Sequence, residues 1–390
     1  MRNSKPLSHT FVARLLLLVA LTGVAQGVMA PPILGQENSL SINASAGILV
    51  DVSSGEVLWS KNPDQRRPVA STTKIMTALL VLENVSLEEI VTTSETPPRV
   101  AGGDQLVVRF GLVAGERARV EDLLFALMLQ SANDAAVALA EHVGGSVSDF
   151  AKKMNERAAE LGAGDTRFVN PHGLDEPGQF STARDLATIS RAALNHPTFR
   201  RIVGSESQLV VSSHRQREIE NRNEMLSIYP GATGIKTGTT EAAGRALVAS
   251  AARADEERIA VVLSTETPNA DASKLLDYGL DNFKRVDAAK QGDVWGVLTF
   301  ADGVTFEIVV AESVSVLLPS GDAVPQTELA EDGRFLTVRT VASTVSVDTE
   351  FRCEGAPCPI FAGRESTIVD DIWRFLTPVA ELVDGWLVGV

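Results

Sequence analysis

The chain has 390 residues, 44% of them hydrophobic and 22% charged, and its formal net charge is −15. This composition is ordinary for a globular protein, so it argues against disorder over most of the chain. The acidic balance argues against a nucleic-acid partner, because phosphate binding requires clustered Lys and Arg. The length can accommodate one large domain and a smaller one.

The N-terminus has the pattern of a secretory signal peptide. Arg2, Lys5 and Arg14 precede an apolar stretch over residues 15–24, and small residues follow as far as Ala30. The apolar stretch is short for a transmembrane helix, although an uncleaved anchor stays open as the alternative. Either interpretation predicts that the folded protein lies outside the cytoplasm, in the periplasm or on the wall side of the membrane.

Hydrophobic periodicity predicts a mixture of strands and helices up to residue 284. Two strands joined by a Gly-containing turn come first, and a helix should begin near Ser71. The predicted elements are strands over 46–52 and 56–59, a helix over 71–82, a loop over 94–115, helices over 120–129, 134–142, 147–161 and 182–194, strands over 208–212, 246–251 and 259–263, and a helix over 272–283. Ser181 and Asp185 have the spacing of a helix start.

The sequence after Lys284 changes character. Short Val-rich segments separated by Asp-Gly turns predict strands over 294–298, 304–310, 314–318 and 336–341. The predicted domains are therefore a signal peptide over 1–30, a mixed domain over 38–284, an all-β domain over 287–365 and an amphipathic helix over 366–390. This last segment has two open interpretations, a peripheral membrane contact through residues 368–390 or docking on the protein itself.

The tetrapeptide Ser71-Thr72-Thr73-Lys74 is a candidate nucleophile with its base. A serine hydroxyl is a weak nucleophile until a neighbouring base takes its proton. Residues three apart share one face of a helix, so Lys74 can reach the Ser71 oxygen. Such a lysine must be neutral, and burial or a nearby cation lowers its pKa. Alone, this tetrapeptide is equally compatible with a helix cap and a solvated lysine.

Two further motifs follow in order. Ser131-Ala132-Asn133 lies between two predicted helices, and Lys236-Thr237-Gly238 lies near the predicted strands. The ordered set S-x-x-K, S-x-N and K-T-G is typical of penicillin-binding enzymes and serine β-lactamases. Each motif is common by chance, so the indication comes from the set.

The chain resembles the D-alanyl-D-alanine carboxypeptidases of the low-molecular-mass penicillin-binding proteins. The resemblance covers about residues 40–285 and rests on the segments ASTTKIMTAL (70–79), SANDA (131–135), NPHGL (170–174) and GIKTGT (234–239). It implies an α/β (α+β) serine β-lactamase/DD-peptidase-like catalytic domain followed by a smaller all-β domain. It implies peptidoglycan stem peptides as substrate, β-lactams as covalent inhibitors, and no cofactor.

The resemblance also implies roles for individual residues. Ser71 would attack the carbonyl of the penultimate D-alanine, Lys74 would accept its proton, and Ser131 would relay a proton to the leaving group. The implied substrate-binding residues are Asn133 for the peptide backbone, Lys236 for positive potential, Thr237 and Arg222 for the terminal carboxylate, and Thr239, whose N–H would form the oxyanion hole with that of Ser71.

Some residues depart from the family pattern or invite another interpretation. Thr233 stands where family members often have Asp, which we interpret as a local change in hydrogen bonding, and Ala132 replaces a frequent Gly. His172 is expected to satisfy loop hydrogen bonds, because this family needs no histidine as base. Cys353 and Cys358 leave a local disulfide open, whereas the five histidines lack metal-ligand spacing, so no metal site is predicted.

Three alternatives remain at this point. A DD-endopeptidase that cuts peptidoglycan cross-links would use the same nucleophile. A serine β-lactamase of the Glu-dependent type would carry Glu-x-x-Leu-Asn after the second motif, and no such pentapeptide lies between Ser131 and Lys236. An inactive peptidoglycan-binding module is disfavoured, because every role of an acyl-transfer site has a candidate residue.

Overall fold

The computed structural model describes residues 40–97, 108–299, 305–320, 325–329, 335–339 and 344–353. The predicted signal peptide over 1–30, the predicted amphipathic segment over 366–390 and Cys358 lie outside these residues. Within the described ranges, no helix combines the length and the apolar character that crossing a bilayer requires.

Strands and helices follow one another along the described residues, and their bounds fix where the motifs lie. In chain order they are β1 Ala46–Asp51, β2 Val57–Lys61, α1 Lys74–Asn84, β3 Ile90–Thr92, β4 Arg117–Arg119, α2 Val120–Phe125, α3 Asn133–Gly144, α4 Val147–Glu160, α5 Ala183–Leu194, α6 Pro197–Gly204, β5 Ser207–Val211, β6 Gln216–Glu220, α7 Met225–Ile228, β7 Ala232–Thr240, β8 Gly244–Arg253, β9 Glu256–Thr265, α8 Pro268–Asn282, β10 Phe283–Ala289, β11 Val294–Thr299, β12 Thr305–Val310, β13 Val314–Pro319, β14 Gln326–Leu329, β15 Phe335–Arg339 and β16 Thr344–Cys353.

A five-stranded antiparallel sheet with the order β2-β1-β9-β8-β7 forms the centre of the fold. Its middle strands β8 and β9 are continuous apolar runs with buried side chains on both faces, because helices such as α5 and α8 pack against the sheet. β7, which carries Lys236-Thr237-Gly238, is an edge strand of this sheet. One side of the K-T-G motif is therefore left open to a substrate.

The helix α1 lies inside a cluster of helices and contacts α3, α4 and α5. All residues from Lys74 to Val81 are buried, so this helix is enclosed on every side rather than on one face. A short 3₁₀ turn, Ala70–Thr73, precedes it and carries Ser71. The sequence thus places the candidate nucleophile at the point where a buried helix emerges toward β7.

The chain after α8 is rich in β-structure. β10 pairs with β13, and a second five-stranded sheet has the order β11-β12-β16-β15-β14. A small separate core of Ala289, Val310, Val314, Val316, Leu318, Leu336 and Val338 lies here. The predicted fold class, a mixed helix-and-sheet catalytic part followed by β-structure, is confirmed. The domain limits at 284 and 287 stay a prediction.

Several element bounds differ from the prediction for local reasons. The helix predicted over 120–129 ends at Phe125, and Ala126–Gln130 continue as a π-helical turn that delivers Ser131. The helix predicted over 182–194 begins at Ala183, and its cap is Thr182 rather than Ser181, since the Thr182 hydroxyl accepts a hydrogen bond from the Asp185 N–H at 3.0 Å. The K-T-G motif belongs to β7. Hydrophobic periodicity did not identify this strand, because most of its residues are small or polar and show no alternation of apolar and polar side chains.

Candidate active site

Ser71 and Lys74 are brought together by the 3₁₀ turn at the start of α1. The Lys74 Nζ lies 2.9 Å from the Ser71 Oγ. Its other two contacts are the Asn133 Oδ1 at 2.7 Å and the His172 carbonyl oxygen at 2.6 Å. The amine therefore links the first motif, the second motif and the NPHGL segment.

The environment of Lys74 favours a neutral amine. The side chain is fully buried, and burial lowers the pKa of Lys74 well below its usual 10.5. The nearby charge of Lys236 lowers this pKa further, whereas Asp134 acts in the opposite direction. The site thus has the electrostatics that a lysine base requires.

The NPHGL segment, residues 170–174, packs against α1 and the turn that carries Ser71. The Thr77 hydroxyl donates to the Pro171 carbonyl at 2.6 Å, which ties α1 to the segment. Gly173 has a φ of +86°, and a Cβ placed there would lie 1.9 Å from the Ala70 carbonyl oxygen. Only glycine fits this close approach beneath the Ser71 turn.

Ser131 and Asn133 reach the site through the π-helical turn. Ser131 takes up a left-handed backbone conformation (φ 67°, ψ 33°) at the end of this turn, and Asn133 then begins α3. Both residues are buried except for the surface that they present to the cleft. The Asn133 N–H donates to the Val108 carbonyl at 2.8 Å, so the same turn fixes one wall of the cleft.

Asp134 anchors the wall that includes Val108. Its carboxylate accepts the N–H groups of Phe110, Gly111 and Leu112 at 2.8, 2.7 and 2.9 Å. Asp134 is fully buried, and its charge is stabilised by these three donors. It was not identified from the sequence, because an Asp after Asn133 is equally compatible with a first-turn helix residue.

The edge strand β7 forms the opposite wall. Gly238 lies against the Ser71 turn, since a Cβ at this position would be 3.1 Å from the Ser71 nitrogen. Ser71 and Thr239 both line the cleft next to this close approach, and the Thr239 hydroxyl donates to the Gly238 carbonyl at 2.8 Å. Lys236 is buried beneath the strand, and its Nζ donates to the Thr237 carbonyl at 3.1 Å. Burial, and then the charge of Arg222, lowers the pKa of Lys236 to about 7.

The cleft between these walls has a volume of roughly 200 Å³. The described residues that line it are Ser71, Val108, Ser131, Asn133, Arg222, Glu224, Thr237, Gly238, Thr239, Arg245, Ala246, Pro268 and Asn269. The structure therefore brings together all eight residues singled out from the sequence, with Lys74 and Lys236 buried behind the lining. The sequence did not indicate Arg245, Glu224 or Asn269, because none of them belongs to a motif.

The positions of His172 and Thr233 explain two sequence observations. The His172 Nδ1 accepts the Leu174 N–H at 3.2 Å, and burial together with the charge of Lys74 lowers its pKa to about 3. It is therefore a neutral loop residue. Thr233 bonds the hydroxyl of Ser250 and the carboxylate of Glu257.

No group of three or more His, Cys, Asp or Glu side chains that could hold a metal ion occurs in the part of the chain that the structure describes.

Comparison with known proteins identifies the family of this cleft. The profile of the family described as D-alanyl-D-alanine carboxypeptidase (Peptidase S11) matches residues 34–267. The chain is 32% identical to D-alanyl-D-alanine carboxypeptidase DacF of Bacillus subtilis over 79% of this chain and 82% of that protein. It is 34% identical to D-alanyl-D-alanine carboxypeptidase DacC of Escherichia coli over 77% of this chain and 80% of that protein.

A solved structure supports the same assignment. Penicillin binding protein 5 from Haemophilus influenzae superposes with a TM-score of 0.69 and 28% identity, covering 80% of this chain and 97% of that one. The similarity extends beyond the motif segments to most of both chains. The chain belongs to the D-alanyl-D-alanine carboxypeptidase family of serine peptidases.

Proposed function

We propose that this protein is a serine-type carboxypeptidase that removes the terminal D-alanine from peptidoglycan stem pentapeptides through an acyl-enzyme on Ser71. The observation that carries this function is the contact between the buried Lys74 amine and the Ser71 hydroxyl at 2.9 Å. Penicillins would acylate the same serine, since the family includes penicillin-binding proteins.

The hydrogen bonds of Lys74 determine the direction of proton transfer. A neutral amine has two N–H donors and one lone pair. The Asn133 Oδ1 and the His172 carbonyl oxygen can only accept, so they take both donors. The lone pair is left for the proton of the Ser71 hydroxyl, which makes Lys74 the general base of acylation.

The reaction then proceeds in two balanced steps. The Ser71 oxygen attacks the carbonyl of the penultimate D-alanine while Lys74 takes its proton, and the N–H groups of Ser71 and Thr239 stabilise the oxyanion. The peptide bond breaks as Ser131 donates its proton to the departing amine and regains one from Lys74, which releases D-alanine and leaves Lys74 neutral again. Water then attacks the ester while Lys74 takes its proton. Lys74 returns that proton to the Ser71 oxygen as the ester bond breaks, which regenerates Ser71 and frees the shortened peptide.

Substrate binding would use the remaining residues of the cleft. Asn133 would hydrogen-bond the peptide backbone, while Thr237 and Arg222 would bind the terminal carboxylate beside the positive potential of Lys236. The only carboxylate among the described lining residues is Glu224, and it is bonded to Asn269. This lining gives no support to a β-lactamase with a Glu-activated water next to Ser71.

The location of the protein follows from its proposed substrate. We propose that residues 1–30 direct export, so that residues 38–284 act on the wall side of the membrane. The β-structure after residue 287 would form a second domain. The membrane contact of residues 368–390 stays a prediction, to be checked by whether deletion of residues 366–390 releases the protein from membrane pellets.

Two measurements test the proposed activity. A fluorescent penicillin should label the wild type covalently, and Ser71→Ala should abolish the labelling. Mass analysis of a pentapeptide muropeptide should show the loss of one alanine after incubation with the wild type. Absence of both labelling and alanine release in the folded wild type would instead identify an inactive binding module.

A further inference from the structure

A hydrogen bond spans the side of the cleft that contains its arginines. The Asn269 Nδ2 donates to the Glu224 Oε2 at 2.7 Å, and both residues line the cleft that contains Ser71. Glu224 follows Arg222 by two positions, and Asn269 follows Glu266, whose carbonyl accepts a hydrogen bond from the Arg245 guanidinium at 2.9 Å. Arg222 is thus close to Glu224 along the chain, and Arg245 is hydrogen-bonded to the chain just before Asn269, so both arginines lie on the same side of the cleft as the Glu224–Asn269 bridge.

The segment carrying Glu224 is fixed by contacts away from the cleft. The Asn221 amide donates to the carbonyls of Val203 and Ser205 at 3.2 and 2.9 Å. Met225 is fully buried, and its sulfur accepts the hydroxyl of Ser273 on α8 at 4.0 Å. Both segments of the bridge are thus packed together behind it.

The segment carrying Asn269 is fixed by the start of α8. Pro268 is the first residue of this helix and restricts its backbone. The buried carboxylate of Asp271 accepts the N–H groups of Asn43 and Ala44 at 3.0 and 2.9 Å and the hydroxyl of Thr265 at 2.6 Å. Glu224 itself is exposed, but its partner Asn269 is held in position by the packed start of α8.

The charges indicate which part of the substrate meets this bridge. Arg222 and Arg245 attract the terminal carboxylate, which belongs to the leaving residue of the proposed reaction. Val108 and Asn133, on the wall fixed by Asp134, are left for the acyl side of the peptide. The side chain and terminus of a leaving D-alanine are only a methyl group and a carboxylate. A larger leaving residue must therefore extend past Glu224 and Asn269.

We propose that the Glu224–Asn269 bridge bounds the leaving-group side of the cleft and makes the enzyme select peptides that end in a single D-alanine over cross-linked peptides. In a cross-linked peptide the leaving residue continues into a second stem, which must break the hydrogen bond of the bridge or pass around it. This inference rests on the proposed carboxypeptidase function and deepens it. It assigns the discrimination between exopeptidase and endopeptidase activity to two residues outside the motifs.

The test compares two substrates, a pentapeptide muropeptide and a cross-linked muropeptide dimer, by the ratio of their kcat/KM values. Glu224→Ala and Asn269→Ala each remove one partner of this hydrogen bond. Each should raise kcat/KM for the dimer relative to that for the pentapeptide by about tenfold. Glu224→Gln keeps an oxygen that can accept from Asn269, so its ratio should stay near that of the wild type. Glu220→Ala, an exposed residue of β6 outside the cleft, is the matched control.

Two outcomes would overturn the inference. One is an unchanged ratio in both alanine variants that retain the wild-type melting temperature. The other is a wild type that cleaves the dimer as efficiently as the pentapeptide. A wild type that releases no alanine from the pentapeptide contradicts the proposed function itself, so the two failures are distinguishable.

Discussion

At the scale of single residues, the site combines two buried lysines with opposite requirements. In its proposed role Lys74 must be neutral to accept the Ser71 proton, whereas Lys236 in its proposed role must be charged to attract a carboxylate. Burial lowers the pKa of both, with Lys236 reaching about 7, and the charge of Lys236 further lowers the pKa of Lys74. A protonated Lys236 thus helps to keep Lys74 in its basic form.

This pairing predicts the pH dependence of the enzyme. For D-alanine release, kcat/KM should fall at low pH as Lys74 becomes protonated, and at high pH as Lys236 loses its proton above about pH 7. In Lys236→Arg the guanidinium keeps its charge to far higher pH, so the alkaline fall should disappear. The profile of Lys152→Arg, an exposed lysine of α4, should match the wild type. An unchanged alkaline limb in Lys236→Arg would contradict the role given to Lys236.

At the scale of elements, the local spacing of residues predicted the contact between catalytic candidates better than it predicted where helices and strands begin and end. The spacing of Ser71 and Lys74 indicated their contact correctly, because one turn of 3₁₀ or α-helix brings such residues together. The π-helical turn before Ser131 was not predictable, since it depends on how α2 packs against its neighbours. Glu224 and Asn269 are 45 residues apart, so their contact follows only from the tertiary fold.

The close approach of Gly173 to the Ser71 turn gives a prediction about an element. Gly173→Ala places a side chain in a left-handed conformation and within 1.9 Å of the Ala70 carbonyl. The conformation alone costs about 1–2 kcal/mol, and the displaced turn should slow acylation by penicillin by about 10²-fold. Urea unfolding and the acylation rate measure the two effects.

Gly164→Ala provides the matched control for this substitution. A Cβ at Gly164 meets no atom within 4 Å, and its backbone is not left-handed. Its unfolding free energy should change by no more than about 0.5 kcal/mol, and its acylation rate should stay at the wild-type value. Equal effects of the two substitutions would show that the NPHGL segment does not position Ser71.

At the scale of the whole molecule, a buried ion-pair network joins the central sheet to the first strand of the following β-structure. The Arg258 side chain is fully buried and bonds Asp51 at 2.5 Å and Glu256 at 2.6 Å. From β10, the Arg285 guanidinium bonds Asp51 at 2.7 Å, and its backbone N–H donates to Glu256 at 2.5 Å. Sequence periodicity identified neither β10 nor this network, because charged residues were expected on the surface.

The network predicts a large and pH-dependent loss of stability in Arg258→Met. Burial raises the pKa of Asp51, but hydrogen bonds from Ser53 and Ser54 and the charge of Arg258 outweigh it and hold the pKa below 3.8. Removing Arg258 takes away the fully buried cation of this pair, while Ser53, Ser54 and Arg285 still bond Asp51. The unfolding free energy at pH 7 should therefore fall by about 3 kcal/mol, the lower end of the cost of breaking a buried ion pair. Arg253→Met, which breaks an exposed pair with Asp281, should cost only about 0–1 kcal/mol.

The sign of the pH effect follows from the direction of the Asp51 shift. Because the folded-state pKa is depressed, the contribution of Asp51 to stability is present above its unfolded value of 3.8 and is lost as the pH falls through the folded value. The difference in unfolding free energy between the wild type and Arg258→Met should therefore shrink below pH 3.8, where a protonated Asp51 no longer needs a cation. A difference that stays constant over this range in urea titrations would mean that Arg258 stabilises the junction through packing rather than through its charge.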